Sequence, residues 1–262
     1  MRHVLGVEYD GTAYSGWQTQ RDGRGVQDAL ERALSRVADR PITVTAAGRT
    51  DTGVHATAQV VHFDTDVERP ERAWTLGVNT YLPSDVAVRW LRAAPEGFHA
   101  RFSARRRSYQ YCILNGPLRS ALLRHRVWWV RRPLDADAMA VAATHLQGEH
   151  DFSAFRAAEC QAGTATRHIS RLIVRRDGPW LRVDVTANAF LHHMVRNIVG
   201  TLAVVGRGDA GPDWVADVLA GRDRRAAGMT APAAGLYLVH VDYGGALDQP
   251  SSLLPLGLET AT

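Results

Sequence analysis

The stretch ISRLIVRRDGPWLRVDVTANAFLHHMVRNIVGTLAVV, residues 169–205, decides the fold class because two kinds of periodicity follow each other within it. Apolar residues alternate with polar ones over 169–174 and 181–187, and the intervening Arg-Asp-Gly-Pro, residues 176–179, is typical of a turn. Residues 191–205 carry apolar side chains at helical spacing instead. The stretch therefore predicts an antiparallel hairpin followed by an amphipathic helix, an α+β arrangement.

The same alternation of strand and helix patterns continues on both sides of this stretch. Strands are predicted at 4–9, 42–46, 59–64, 86–91, 108–114, 127–130 and 236–243, and helices at 26–37, 74–78, 135–146 and 214–219. The arginine-rich residues 102–107 have the composition of a connector. We therefore expect an N-terminal α+β domain at 1–104 and a C-terminal α+β domain at 105–262, with a site in the cleft between them. We also expect Trp128 and Trp129 in the core and a weakly structured tail beyond Gly244.

Composition excludes several classes of protein. With 45% hydrophobic and 22% charged residues among 262, the chain is typical of a soluble globular protein. Two cysteines, Cys112 and Cys160, make no disulfide framework and no zinc motif, and they favour a reducing, cytoplasmic location. No apolar run is long enough to cross a membrane, and no dinucleotide or P-loop fingerprint occurs. All 31 basic residues are arginines, whose planar donors suit phosphates, although a net charge of +4 alone indicates little.

The segment Gly-Arg-Thr-Asp-Thr-Gly-Val-His, residues 48–55, is the first candidate site. Its two glycines permit a tight, exposed turn between two predicted strands. A carboxylate on such a turn, here Asp51, can serve as a nucleophile, a general base or a metal ligand. An ordinary solvated loop in which the aspartate caps its own backbone remains the alternative.

The helix predicted at 191–205 is the second candidate. Beside its apolar stripe it carries His192, His193, Arg196 and Asn197, with no acidic residue among them. Arg196 is therefore available to pair with a carboxylate elsewhere in the chain. A surface helix with an unremarkable arginine is the alternative.

A strand that follows three consecutive arginines is the third candidate. Strand periodicity puts Tyr109, Tyr111 and Ile113 on one face, directly after Arg105, Arg106 and Arg107. Aromatic rings beside arginines on a sheet can stack on bases and hold phosphates. A half-buried aromatic pair in a core is the alternative.

Taken together, these segments resemble the TruA family of tRNA pseudouridine synthases over nearly the whole chain. The matching blocks are residues 8–12, 15–18, 48–55, 74–79, 98–104, 151–156, 187–200 and 235–238. The family's catalytic loop is usually written GRTDAGVH, so this sequence departs from it at Thr52, where alanine is more common. We expect the turn to tolerate that threonine.

The resemblance implies roles for particular residues. Asp51 matches the essential aspartate, Arg49 and Arg196 match the arginines that flank it, and Arg196 is then its ion-pair partner. Tyr109 matches the active-site tyrosine, and Leu236 matches an apolar residue that lines the pocket. On the same reading, Arg105, Arg106 and Arg107 supply contacts to RNA.

The resemblance also implies a fold, a reaction and partners. The fold would be two RRM-like or ferredoxin-like α+β halves around an antiparallel sheet, with helices outside and a central basic cleft. The reaction would convert uridines 38, 39 and 40 of the tRNA anticodon stem-loop to pseudouridine, after each base has been flipped out. A homodimer would act, with no cofactor, no metal ion and no membrane partner.

Two other classes of function remain open at this point. A catalytically silent RNA-binding module would need the basic and aromatic sheet face but not Asp51 with its arginines. A glycoside or nucleoside hydrolase would use Asp51 as nucleophile, but it usually needs a second carboxylate as the acid, and the matching blocks offer none.

Overall fold

The computed structural model describes residues 1–21 and 23–252. Contacts between the described residues group Met1–Arg107 with residues 237–252 as a first compact unit, and Ser108–Leu236 form a second. Residues 243–252 carry neither helix nor strand, and the rest of the expected tail lies outside the described residues. Within the described ranges, no helix combines the length and the apolar character that crossing a bilayer requires.

Strands and helices alternate as the sequence periodicities predict. The strands are β1 (Arg2–Tyr9), β2 (Thr45–Ala46), β3 (His55–Asp64), β4 (Val86–Ala93), β5 (Arg106–Asn115), β6 (Trp128–Val130), β7 (Gly148–Asp151), β8 (Thr166–Asp177), β9 (Trp180–Ala187) and β10 (Leu236–Asp242). The helices are α1 (Val26–Ala38), α2 (Val78–Tyr81), α3 (Ala136–Thr144), α4 (Met194–Gly206) and α5 (Trp214–Gly221). The mixed α+β class is confirmed, and most strand pairs are antiparallel.

In the first unit, β1 lies between β4 and β3 and is antiparallel to both. The far edge of β3 is shared: β2 pairs with its second half, and β10 pairs in parallel with its start, where Tyr237 lies opposite His55. Val4, Leu5 and Val7 of β1 have no exposed surface, which places this strand in the core. The start of β3, directly after the loop that carries Asp51, thus pairs with β1 on one side and with β10 on the other.

Helix α1 forms because its apolar residues recur on one face. Val26, Leu30 and Leu34 are fully buried along that face. The Gly25 N–H donates to the Asp28 carboxylate at 2.8 Å, which satisfies one of the free donors at the start of the helix. The helix ends at Asp39, whose backbone is left-handed with φ of 57°.

In the second unit, the strand order is β5-β9-β8-β7, and β6 pairs in parallel with β5. The predicted hairpin is confirmed: β8 and β9 pair antiparallel from Ile169 to Asp177, and Gly178 turns the chain with φ of 53°. Strand β7 was missed because its sequence, Gly-Glu-His-Asp, has no apolar alternation.

The prediction for helix α4 was wrong at its first turn. The helix begins at Met194 rather than 191, because His193 adopts a left-handed backbone with φ of 61°. His192 and His193 therefore precede the helix instead of lying on its polar side. Asn197 is fully buried, and its Nδ2 donates to the Phe155 carbonyl at 2.8 Å, so it is also not on a solvated face.

Other local expectations also need correction. The strand expected at 42–46 is reduced to β2, since Ile42 and Val44 pack into the core without strand pairing. Trp129 is 37% exposed, and its indole N–H reaches the Gly116 carbonyl at 2.9 Å, so it is not a core residue. The connector expected at 102–107 ends early, because Arg106 already begins β5.

Candidate active site

Residues 47–54 form the loop between β2 and β3, and Asp51 lies at its turn. His55, the last residue of the 48–55 segment, is the first residue of β3. The Val54 N–H donates to the Asp51 carbonyl at 3.1 Å, and Gly53 has φ of 76°, which favours glycine. Asp51 is half-buried, whereas the side chain of Thr52 is exposed. The threonine thus fits the turn without crowding it, and the carboxylate is presented at a fixed place.

Buried hydrogen bonds hold the residue before the nucleophile candidate. The Tyr9 hydroxyl lies 2.8 Å from Thr50 Oγ1, and both residues are buried. Gln59 Nε2 donates to the Gly48 carbonyl at 2.8 Å and to the Tyr9 hydroxyl at 3.4 Å. We call Tyr9, Thr50, Gln59 and Gly48 the tyrosine network. Desolvation raises the pKa of Tyr9 well above its usual range, so the hydroxyl keeps its proton.

The segment after β1 packs directly against the turn. Trp17 donates its backbone N–H to the Thr50 carbonyl at 3.0 Å. Gly16 has φ of 96°, and a Cβ there would stand 2.7 Å from the same carbonyl oxygen. Only glycine permits this approach, so residues 15–18 pack closely against the turn that carries Asp51.

The end of the loop is fixed by a histidine and an aspartate. His55 Nδ1 lies 3.0 Å from Asp10 Oδ1, and the His55 ring stacks on Tyr237 with centroids 4.7 Å apart. The contact with His55, and to a smaller extent the donors of Thr12, hold the pKa of Asp10 well below its usual range. The first residue of β3 is thereby tied to the end of β1.

The arginines predicted to touch RNA differ in their surroundings. Arg106 pairs with Asp242 at 2.8 Å. Arg107 donates to the Ala47 carbonyl at 2.8 Å and to two further carbonyls, which holds the start of the loop that carries Asp51. Arg105 is exposed and lies against the backbone of Gly244. Arg107 therefore stabilises the backbone through these hydrogen bonds, a role that the sequence did not indicate.

Tyr109 and Leu236 are buried residues of the second unit. Tyr109 is 8% exposed, and its ring meets Phe190 edge-on at 5.1 Å. Leu236, at the start of β10, is 5% exposed. Tyr111, predicted on the same face as Tyr109, is fully buried, and its hydroxyl donates to the Pro232 carbonyl at 2.7 Å. Tyr111 is therefore a core residue and not a stacking surface.

Arg196 is clamped to the segment that follows α5. Its Nε donates to the Ala231 carbonyl at 2.7 Å, and its own carbonyl accepts from the Ala231 N–H at 3.1 Å. Asn197 Oδ1 accepts from Arg224 at 3.0 Å and from the Thr230 hydroxyl at 2.7 Å. These bonds fix the direction in which the Arg196 side chain leaves the helix.

The predicted site residues divide between the two units. Asp51, Arg49 and the arginines at 105–107 belong to the first, and Tyr109, Arg196 and Leu236 belong to the second. Their roles stay predictions. The sequence analysis missed Tyr9 and Gln59 as supports of the turn. A polar glutamine inside the apolar run of β3 was the one available signal for Gln59.

The sequence profile of a family described as "tRNA pseudouridine synthase" matches residues 6–103 and 142–244. This match defines a class of enzyme, the RNA-modifying isomerases that convert uridine to pseudouridine. The chain belongs to the tRNA pseudouridine synthase family, as the TruA resemblance predicts, and it is therefore an isomerase.

Curated relatives agree with this assignment. Each of three is named tRNA pseudouridine synthase A. The one from Aeromonas hydrophila is 55% identical over 98% of this chain and 95% of its own. The one from Hydrogenovibrio crunogenus is 55% identical over 96% of this chain and 96% of its own. The one from Pseudoalteromonas atlantica is 56% identical over 93% of this chain and 92% of its own.

A solved structure titled "Crystal Structure of a Cbf5-Nop10-Gar1 Complex" also aligns, over 90% of this chain and 48% of its own, with 12% identity. At a TM-score of 0.36 the two share too little geometry to support a fold argument.

Proposed function

We propose that this enzyme isomerises uridines 38, 39 and 40 in the anticodon stem-loop of tRNA, with Asp51 as the nucleophile and with the target base flipped out of the stack. The observation that carries the proposal is the Asp51 turn. In a chain of this family, a half-buried carboxylate stands on a glycine turn whose backbone is fixed by the tyrosine network. A fixed, ionised oxygen is what nucleophilic attack requires.

The chemistry needs no group that enters or leaves. The C1′–N1 glycosidic bond breaks, the uracil turns, C5 bonds to C1′, and the C5 proton is lost while N1 gains one. Asp51 attacks either C1′ or C6 and leaves again when the new bond has formed. Substrate and product have the same atoms and the same oxidation level, so we propose a reaction without cofactor or metal ion.

Arginines hold the Asp51 carboxylate in this proposal. A guanidinium beside a carboxylate forms charge-assisted hydrogen bonds with it, which fix the direction of its oxygens. The resemblance assigns this pairing to Arg196 and a neighbouring substrate contact to Arg49. The clamp between Arg196 and Ala231 supports the assignment, because it holds the guanidinium in one direction before substrate binds.

Tyr109 and Leu236 act on the uracil in this proposal. The Tyr109 ring stacks on the flipped base, and its hydroxyl removes the C5 proton, directly or through water. Leu236 keeps water away from the detached uracil, so that it recombines with C1′ instead of escaping. The low exposure of both side chains supports a dry site.

Flipping a base from a stem costs a few kcal/mol, which contacts to the RNA backbone offset. Arg105 is the best placed of the three predicted arginines for such a contact, because Arg106 and Arg107 already have partners in the first unit. We further propose that the enzyme acts as a homodimer in the cytoplasm.

The experiment that tests the nucleophile compares Asp51→Asn with Thr52→Ala on tRNA that carries tritium at C5 of uridine. Asp51→Asn should lose tritium release by about 1,000-fold or more, because the amide cannot attack. Thr52→Ala, on the same turn but exposed, should retain activity. Equal rates for Asp51→Asn and wild type would overturn the proposal.

Two further readouts separate the alternatives. Release of free uracil by the wild type would indicate a hydrolase, and tRNA binding without any tritium release would indicate a silent RNA-binding module. Mapping pseudouridine in tRNA from cells with and without this gene tests positions 38, 39 and 40. Unchanged modification at all three would refute the choice of nucleotides.

A further inference from the structure

Residues 116–132 form a second basic segment of the sequence, separate from the arginines at 105–107. We call it the basic loop. It runs from the end of β5 through the parallel neighbour β6 and contains five arginines, one histidine and no acidic residue. Ile113 of β5 pairs with Trp128 of β6, so the chain leaves one strand and returns on its neighbour.

The base of the basic loop is fixed by hydrogen bonds around Asn115. The Asn115 Nδ2 donates to the carbonyls of Val130 and Arg132 at 2.9 and 2.8 Å, and its Oδ1 accepts from the Leu134 N–H at 3.0 Å. The Gly116 N–H adds a bond to the Val130 carbonyl at 3.1 Å. The loop is therefore mounted on a rigid part of the second unit, as binding loops commonly are.

The tip of the basic loop projects its side chains outwards. Leu118 and Leu122 are 81% and 90% exposed, which shows that the unit does not cover this segment. Arg119 and Arg124 lie on the same excursion, and Arg131 follows directly after β6; all three are exposed. The segment thus combines a fixed base with charged side chains that reach into solvent.

The arginines of the basic loop differ from one another in their partners. Within the described ranges, no carboxylate pairs with Arg119, Arg124 or Arg131, and Arg124 contacts only the neighbouring His125 and the Ala121 carbonyl. Arg132, in contrast, is neutralised by Asp209 at 2.8 Å. Three positive charges therefore remain uncompensated in a stretch without acidic residues.

We propose that the basic loop binds the phosphodiester backbone of the tRNA, with Arg119, Arg124 and Arg131 as the phosphate contacts. Uncompensated guanidinium groups attract a polyanion and lose little when they bind it, because no internal ion pair has to break. A second copy of the chain is the less favourable occupant. A two-fold interface through this segment would bring its positive charges against each other. The proposal rests on the tRNA substrate of the family and not on the choice of nucleotides 38–40.

The test is the salt dependence of tRNA binding by the triple variant Arg119→Ala, Arg124→Ala, Arg131→Ala. Each phosphate contact removed lowers the magnitude of the slope of log Kobs against log[salt] by about 0.7 to 0.9. The triple variant should therefore lose about 2 to 3 in slope. The variant Arg119→Lys, Arg124→Lys, Arg131→Lys, which keeps the charges, should keep most of the slope.

Arg225→Ala is the matched control. Arg225 is an exposed arginine of the same unit, but Asp223 already neutralises it at 2.8 Å, so its loss should leave the slope unchanged. A triple variant that binds tRNA with the slope and affinity of Arg225→Ala would overturn the proposal.

Sedimentation of the triple variant and of Leu122→Ser tests the competing occupant. If the wild type sediments as a dimer and these variants sediment as monomers, with an unaltered salt slope, the segment joins two copies. That result would also overturn the proposal. Binding is measured without turnover, so neither result depends on which uridine is converted.

Discussion

Tyr9 carries its hydroxyl into the interior of the first unit, where it lies between Thr50 Oγ1 and Gln59 Nε2. Thr50 is the residue directly before Asp51, so any shift of this hydroxyl is passed on to Asp51 through one peptide unit. Because the groups are buried, removing one partner leaves the other without its hydrogen bond, at a cost of about 1–3 kcal/mol. The tyrosine network is therefore a support for the geometry of the turn.

Tyr9→Phe should lower kcat by about 10- to 100-fold and change KM little, because it displaces the attacking oxygen without touching the RNA. Tyr14→Phe is the matched control, since its hydroxyl donates to Asp85 at 2.6 Å, away from the turn. Steady-state kinetics on both variants measures the difference. The same kcat for the two would contradict a positioning role for Tyr9.

At the scale of elements, α4 carries Arg196 and packs tightly against the segment after α5. The backbone of Gly200 in α4 contacts the backbone of this segment directly. A Cβ on Gly200 would stand 1.7 Å from the Met229 carbonyl oxygen, so a larger residue does not fit. Gly228 approaches Gly200 from the other side with a similar lack of space. The contact positions Ala231, whose carbonyl accepts from Arg196, so packing and site geometry are linked within this unit.

Gly200→Ala should lower the free energy of unfolding by about 1–3 kcal/mol or more, because the inserted methyl group overlaps a backbone oxygen. Gly221→Ala is the control: it lies in the last turn of α5 with no atom within 4 Å of its Cβ position. There the change should be neutral or stabilising by up to about 1 kcal/mol. Urea unfolding of both variants checks the prediction, and equal midpoints would refute it.

At the scale of the whole molecule, residues from both ends of the described chain belong to the same compact unit. Strand β10 returns from the far end of the sequence, and from Tyr237 onward it belongs to the first unit. There the Tyr243 hydroxyl donates to the Ala100 carbonyl at 2.8 Å. The domain division at 1–104 and 105–262 therefore stays a proposal about independent folding, and the first part without β10 would lack these bonds.

The stability of the fold should also depend on pH through His62. This buried imidazole accepts the Ala100 N–H on Nδ1 at 3.1 Å, and burial lowers its pKa from about 6.5 to about 4. Between pH 6.5 and pH 4, the imidazole of His62 is mostly protonated in the unfolded chain and mostly neutral in the folded chain. The contribution is therefore complete above pH 6.5 and is lost as the pH falls towards 4, by about 3 kcal/mol in total.

His62→Asn should flatten this dependence, because the asparagine oxygen can accept the same N–H and does not titrate. Urea unfolding of the wild type and the variant at pH 5 and pH 7 measures the effect. The loss of stability between the two pH values should be smaller in the variant. An equal loss in both proteins would show that His62 does not contribute.

Local periodicity was enough to predict several elements of the fold. Alternation over 169–187 fixed the hairpin, and helical spacing fixed α1 and most of α4, because burial of one face requires those periods. The glycines around Asp51 indicated its turn, since few other residues adopt the backbone that Gly53 shows. The order of the motifs was enough to predict the family.

The side chains that support the site could be found only in the folded chain. Tyr9 and Thr50 are 41 positions apart, and Arg106 meets Asp242 across 136 positions, distances over which periodicity carries no information. The burial of Tyr111 and Asn197 likewise depends on what packs against them, which a pattern of neighbouring residues does not contain. Hydrogen bonds form between groups that folding brings together, so the partners of each predicted residue had to come from the folded chain.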